Sequence, residues 1–316
     1  MTTEAKALPQ AAPRGLGRAR PRWGERAIEA SLFLCALLSV AVTVGIVVSL
    51  LEPTIEFFGE VSAKEFFTGG TWSPLFSDPE FGVRPLLVGT LVCTFWAMVV
   101  AIPFGLGAAI WLSEYARPRT RAFLKPALEV LAGVPTVVYG FFALTFVTPL
   151  LRDVWPGFLG EAPEIFNALA AGLVMGIMIL PTVASLSEDA LSAVPGGLRE
   201  GALALGGSRM QVATRVMVPA ALSGIVASFV LAISRAVGET MIVLIAAGGQ
   251  PSDALNPTTA HQTMTAFIGA AGLGDQPTDS TGYRTIFAVG ATLFVATFVM
   301  NMLSIRLVRK YREVYE

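Results

Sequence analysis

SEDALSAVPGGLREGALALGGSRMQVATRVMVP, residues 187–219, is a polar, turn-rich stretch set between two long apolar runs. Pro195-Gly196-Gly197 makes a turn, and Leu198–Leu205 suits a short helix of good helix formers. Gly206-Gly207 ends that helix, as glycine does just past a helix C-terminus. Ser208 can cap a second helix, with Met210, Val212, Ala213 and Val216 on its apolar side. Pro219 then opens the next apolar run, where a missing N–H costs little. Leu198, Ala202 and Leu205 fall on one stripe at i, i+4 and i+7, and that stripe needs cover. The cover is either the ends of the chain's own apolar helices or a groove in a soluble partner.

The apolar runs on either side set the fold class. Of 316 residues, 54% are hydrophobic and 14% charged, where a soluble domain carries about 25% charge. A bilayer core of about 30 Å needs roughly 20 apolar residues as a helix. Six segments qualify, near 31–51, 85–112, 127–151, 165–186, 220–247 and 285–305. The expected fold is therefore an all-α membrane protein with six transmembrane helices. The first run is longer than a secretory h-region and is followed by Leu51-Glu52-Pro53, not a small-residue cleavage site, so it reads as a retained anchor. The chain divides into an N-terminal tail (1–30), a first span with its outer loop (31–84), a core of five spans (85–310) and a short C-terminal tail (311–316). The tail 1–30 reads as loose. The outer loop, with Phe57, Phe58, Phe66, Phe67 and Trp72, reads as interfacial or as a cover for the outer face.

With six spans both termini share one side. Seventeen basic residues fall on that side and four on the other, so both termini are expected in the cytoplasm. Net charge is −1, which advertises no nucleic-acid partner. Cys35 and Cys93 lie within apolar runs and read as small hydrophobes. One histidine, His261, excludes multi-histidine metal chemistry. No G-x-x-x-x-G-K-[ST] loop occurs and no lysine follows a glycine, so any ATP hydrolysis must come from another chain. No serine-hydrolase arrangement is evident, and no enzymatic activity is expected.

Glu200-Gly201-Ala202-x3-Gly206, then Val216-x-Val218-Pro219, resembles the "EAA" motif of the permease subunits of ABC importers, E-A-A-x3-G-x9-I-x-L-P. Spacing agrees throughout, with Gly, Val and Val standing for the first Ala, the Ile and the Leu. The resemblance implies the type I importer permease fold, with residues 198–207 as the coupling helix seated on an ATPase. Leu198, Glu200, Gly201, Ala202, Leu205, Gly206 and Pro219 would then be the coupling residues.

The only charges deep within an expected span are Arg235 and Glu239, in Ile233-Ser234-Arg235-Ala236-Val237-Gly238-Glu239-Thr240. At i and i+4 they share a helix face if the helix is continuous. One reading is a structural ion pair. The other is that Arg235, whose planar fork suits oxyanions, lines a translocation path, with Glu239 orienting it or discouraging an anion from lodging. The run R-A-V-G-E-T resembles the corresponding span in permeases of the phosphate-specific ABC importer. Gly133-Val134-Pro135-Thr136-Val137-Val138-Tyr139-Gly140 resembles that family's G-x-P-[ST]-[VI]-x-x-G stretch. Thr136, Tyr139, Ser234 and Thr240, with Thr182 and Ser185, are candidate hydroxyl donors to a path, and a packing kink at Pro135 is the plainer account.

The resemblance covers about residues 85–310. It implies a heterodimer with a paralogous permease, two ATP-binding subunits, an extracytoplasmic phosphate-binding protein, and a bacterial plasma-membrane location. It implies no cofactor on this chain, with ATP and Mg used by the ATPase partner. The extra first span and the outer loop 52–84 point to the C-type subunit. The alternatives are a permease for another oxyanion, such as molybdate or sulfate, and an ion-driven carrier or channel working alone.

Overall fold

The computed structural model describes residues 23–76 and 78–310, with the side chains of 23, 159 and 307–310 left aside. The basic residues expected before Trp23 and the tail 311–316 lie outside the described residues. Residues up to Ser49 form one unit and those from Leu50 onward a second.

Helix α1, Trp23–Glu60, begins within the expected loose tail and runs past the expected span at both ends. Its 38 residues are more than a bilayer core requires. In the first unit its large apolar side chains, among them Leu32, Phe33, Leu34 and Leu38, are exposed, as suits a lipid-facing surface. In the second unit, Phe57 and Phe58 at the end of α1 meet the short α2 (Ala63–Thr68). Phe57 packs edge-to-face on Phe66 and on Phe81, each with ring centroids 5.5 Å apart, and Trp72 adds an edge contact to Phe66. The expected outer loop thus folds around an aromatic core that it shares with Leu86, Phe267 and Val289.

Helix α3 (Arg84–Glu114) is followed by α4 (Pro118–Ala132), and then by α5 (Thr136–Phe142), which continues through a π-turn into α6 (Thr148–Asp153). The third expected span, 127–151, is not one helix. It breaks at Gly133-Val134-Pro135, and the two parts meet at 84°. Pro135 removes a backbone donor and pushes Val134 out of the helical region, and Pro135 itself is extended, with ψ 133°. Residues 127–132 are apolar enough to pass for the start of a span, yet they belong to α4, which also carries Arg119, Arg121, Lys125 and Glu129.

Helix α7 (Ala168–Ser192) is the centre of the bundle and packs along α3. A Cβ at Gly176 would lie 2.6 Å from the Ala97 carbonyl oxygen, and one at Gly105 would lie 2.7 Å from Val183 Cβ. Only glycine permits that approach, the usual way membrane helices gain contact without a hydrophobic driving force. After α7 come α8 (Gly196–Ala204), α9 (Arg209–Val212), a π-turn, α10 (Val218–Ala220) and α11 (Leu222–Val237). The segment 209–220 meets α11 at 74°. The fifth expected span, 220–247, is also interrupted: α11 stops at Val237, with Gly238 as its cap, and α12 (Met241–Ala246) follows. Helix α13 (Met264–Gly272) follows, with Phe267 buried against Trp72. Helix α14 (Thr281–Lys310) is the last.

Among the described residues four helices are long and apolar enough to cross a membrane, and six spans result if each bent pair is one span. No strand is present among them, only an isolated bridge between Trp72 and Phe81.

Candidate functional site

Helix α8 forms much as expected, one or two residues early. Gly206 takes φ +83°, the left-handed conformation that stops a helix and favours glycine. Ser208 and Gln211 form a reciprocal capping box at the start of α9. The stripe of Leu198, Ala202 and Leu205 is not one surface, because α8 ends at Ala204. Ala202 turns inward, packed against the cluster of Leu191, Val194, Val212 and Met217. Leu198 and Leu203 are exposed, and Leu205 lies 92% exposed beyond the last turn. Glu200, Gly201 and Pro219 are exposed too. The glycine stop leaves Leu205 as an exposed apolar side chain at the helix end.

Arg199, counted in the sequence only towards orientation, anchors α8. It donates two hydrogen bonds to Glu114 at the end of α3, Nε to Oε2 at 3.0 Å and Nη2 to Oε1 at 2.6 Å. The Glu114 side chain is 6% exposed, and such a bidentate pair fixes orientation as well as distance.

A second charged group sits where α7 ends. Glu188, fully buried, meets Arg121, accepts from Lys125 Nζ at 2.9 Å and accepts from Ser192 Oγ at 2.8 Å. Lys125 also binds Asp189. That hydrogen bond first, and Glu188 with it, raise the Lys125 pKa above its ordinary value against partial burial. The sequence signal was present in Ser187-Glu188-Asp189, acids directly after an apolar run, but it did not name partners 63 residues away.

The intramembrane charges are not a helical pair. Because α11 ends at Val237, Arg235 lies in its last turn while Glu239 lies in the turn after it. Glu239 Oε1 accepts from the backbone N–H groups of Met241 at 3.1 Å and Ile242 at 3.2 Å, so the carboxylate caps α12. Its backbone oxygen accepts from Thr265 Oγ1 at 2.6 Å. Arg235 is exposed, and its guanidinium donates to the Met178 sulfur at 3.3 Å on α7. Thioether sulfur is a weak acceptor, so most of the donor fork stays open.

Of the expected hydroxyls, Tyr139 comes near. It is buried, within electrostatic reach of Arg235, and its Oη donates to the Leu131 carbonyl at 2.9 Å across the α4–α5 break. Thr136 lies one turn earlier on α5, half-buried and with no side-chain partner among the described residues. Thr182 and Ser185 on α7 are alike in this. Ser234, beside Arg235, instead donates to Asn301 Oδ1 on α14 at 3.0 Å. Thr240 makes a long 3.5 Å contact with the Gly238 carbonyl. Asn301, a polar side chain within the last apolar helix, was not singled out in the sequence. Among the described residues no cluster of three metal-binding side chains occurs.

Residues 101–313 match the model of the binding-protein-dependent transport system inner membrane component. A probable ABC transporter permease protein of Bacillus subtilis, YqgH, is 34% identical over 85% of this chain and 86% of its own. The phosphate transport system permease protein PstC 1 of Mycobacterium tuberculosis is 31% identical over 90% of this chain and 94% of its own. The fold resembles that of a bacterial alginate ABC transporter chain, crystallised with an alginate-pentasaccharide-bound periplasmic protein, with TM-score 0.59, 16% identity and coverage of 92% of this chain and 98% of that one. A chain of the inward-facing MetNI methionine ABC transporter gives TM-score 0.51 at 21% identity, covering 73% of this chain and 95% of the other. With the family model spanning most of the chain, the protein belongs to the inner-membrane components of binding-protein-dependent transport systems.

Proposed function

We propose that this chain is the C-type membrane-spanning subunit of an ATP-driven importer of inorganic phosphate. It pairs with a paralogous permease, rests on two ATP-binding subunits, and receives its ion from an extracytoplasmic binding protein. Both termini lie in the cytoplasm, in keeping with the distribution of basic residues. ATP and Mg serve the ATPase partner, and this chain supplies the path and the docking element.

The observation that carries the reading is Arg235, a guanidinium on a membrane helix, exposed on the chain's own surface, with a methionine sulfur as its one side-chain acceptor among the described residues. Placed against lipid, such a charge costs at least about 2.5–3.5 kcal/mol. A water-filled seam against a second permease removes that cost and leaves the fork open to an oxyanion. Tyr139 and Thr136 on α5, with Ser234 and Thr240 around the α11–α12 break, line the same seam. Glu239 serves it indirectly, by fixing the turn that follows Arg235. Relatives named as phosphate permeases favour phosphate as the ion.

The test is uptake of radiolabelled phosphate by the complete complex in proteoliposomes. Arg235→Ala is expected to lower uptake at least ~100-fold, on the scale of lost electrostatic stabilisation of a moving charge, with assembly intact. Full uptake by that variant refutes the anion contact. Molybdate or sulfate displacing phosphate at equal concentration transfers the reading to that oxyanion, and transport without ATPase subunits favours a lone carrier.

A further inference from the structure

Helix α4 carries no buried residue of its own. On its Leu112 and Ser113 side a cavity of about 570 Å³ runs up to Arg121 and Lys125 instead of a packed interface. What fastens it to α7 is charge. Arg121 meets Glu188 and donates to Ser192 Oγ at 2.8 Å, and Lys125 joins Glu188 and Asp189. These acceptors occupy the last turns of α7, and only Ala193, Val194 and Pro195 separate that helix from α8. Val194 is buried in the cluster that also holds Ala202, so the link is short and packed. At its other end α4 reaches the Gly133–Pro135 break, which Tyr139 bridges by its bond to Leu131. Tyr139 in turn lies within electrostatic reach of Arg235.

We propose that Glu188, with Lys125 and Arg121, is the joint by which displacement of α8 is passed through α4 to the hinge before Pro135, and so to the path. The proposal rests on the permease reading above and adds positioning residues to it. Ion pairs suit this task. An apolar contact of equal hold would need the space between α3 and α4 filled, and α4 would then be locked to α3 as firmly as to α7. Glu188, removed from water and given three donors, keeps α4 registered to the end of α7 while the α3 side stays free to open or close. The lever moves as α7 and α8 move, and the break at Pro135 converts that into a change of angle of α5.

The experiment uses the reconstituted complex with ATPases and binding protein. Phosphate moved per ATP hydrolysed is measured for Glu188→Gln and Lys125→Gln. Paired spin labels at Val130 and Leu203 report the α4–α8 distance with and without trapped ATP. In the parent complex that distance is expected to stay constant while α8 moves. In both variants it changes with ATP, ATPase activity persists, and phosphate per ATP falls about tenfold. An unchanged ratio, or uptake and hydrolysis falling together, overturns the joint. Should Glu188→Gln fail to assemble, Lys125→Gln decides, since the lost side chain is 26% exposed and the buried Glu188 carboxylate keeps Arg121 and Ser192. A parent complex that hydrolyses ATP but moves no phosphate refutes the substrate assignment, and the label distances then judge the joint alone.

Discussion

At the scale of single residues, Arg235 was legible because a charge inside an apolar run is conspicuous. Its surroundings were not. Met178 lies 57 residues earlier, and nothing about a methionine in an apolar helix announces a sulfur facing a guanidinium. Glu239 shows the opposite failure. Spacing alone put it one turn from Arg235, but that inference holds only for an unbroken helix, and Gly238 ends α11. The carboxylate therefore caps α12 rather than neutralising the arginine. A capping acceptor is worth about 1 kcal/mol, so Glu239→Ala is expected to lower the stability of the purified complex by about that amount. Glu239→Gln keeps an acceptor oxygen and should lose less than half as much. Thermal unfolding of both variants measures this, and equal losses would tie the effect to charge instead of to the cap.

At the scale of elements, the local structure of residues 196–212 was largely readable. Good helix formers, a glycine stop and a serine cap are local devices, and the chain folds as they direct at Gly206 and Ser208. The stripe was not, because its last member lies beyond the helix: Ala202 packs inward and Leu205 points out. Docking on the ATPase should thus rest more on Leu205 than on Ala202. Leu205→Asp is expected to weaken retention of the ATPase subunit about tenfold, the loss of one apolar anchor, whereas Leu205→Met retains it. Co-purification at graded detergent and salt reads the difference, and full retention by Leu205→Asp excludes the docking role. The broken third span was half-readable. Pro135 was noted as a kink, but residues 127–132 satisfy a hydropathy window while belonging to α4, which lies at 84° to the helix after the break. Their helix is placed by Arg121 and Lys125, whose acceptors no local rule supplies.

At the scale of the whole molecule, length and hydropathy suggest six spans, and among the described residues four are single helices, with six reached when each bent pair counts as one. The close approach of α3 and α7 did not follow, because a glycine in an apolar run gives no hint of which helix it admits. Nor did the aromatic core of the second unit, built from an outer segment that composition alone rendered as a loop.

The bare guanidinium on α11 also bears on the life of the protein before assembly. A copy synthesised without its companion holds a cation where acyl chains should be, a defect that membrane quality-control proteases can recognise. The orphan chain should therefore turn over faster than the same chain made alongside its companion, and Arg235→Leu should lengthen the orphan's half-life even while it ends transport. Pulse-chase labelling with and without co-expression measures both half-lives. Equal turnover would mean that the arginine finds shelter within its own subunit. On the proposed pairing, one side chain would make the subunit useful in company and short-lived by itself, and so would keep the two permeases matched in number.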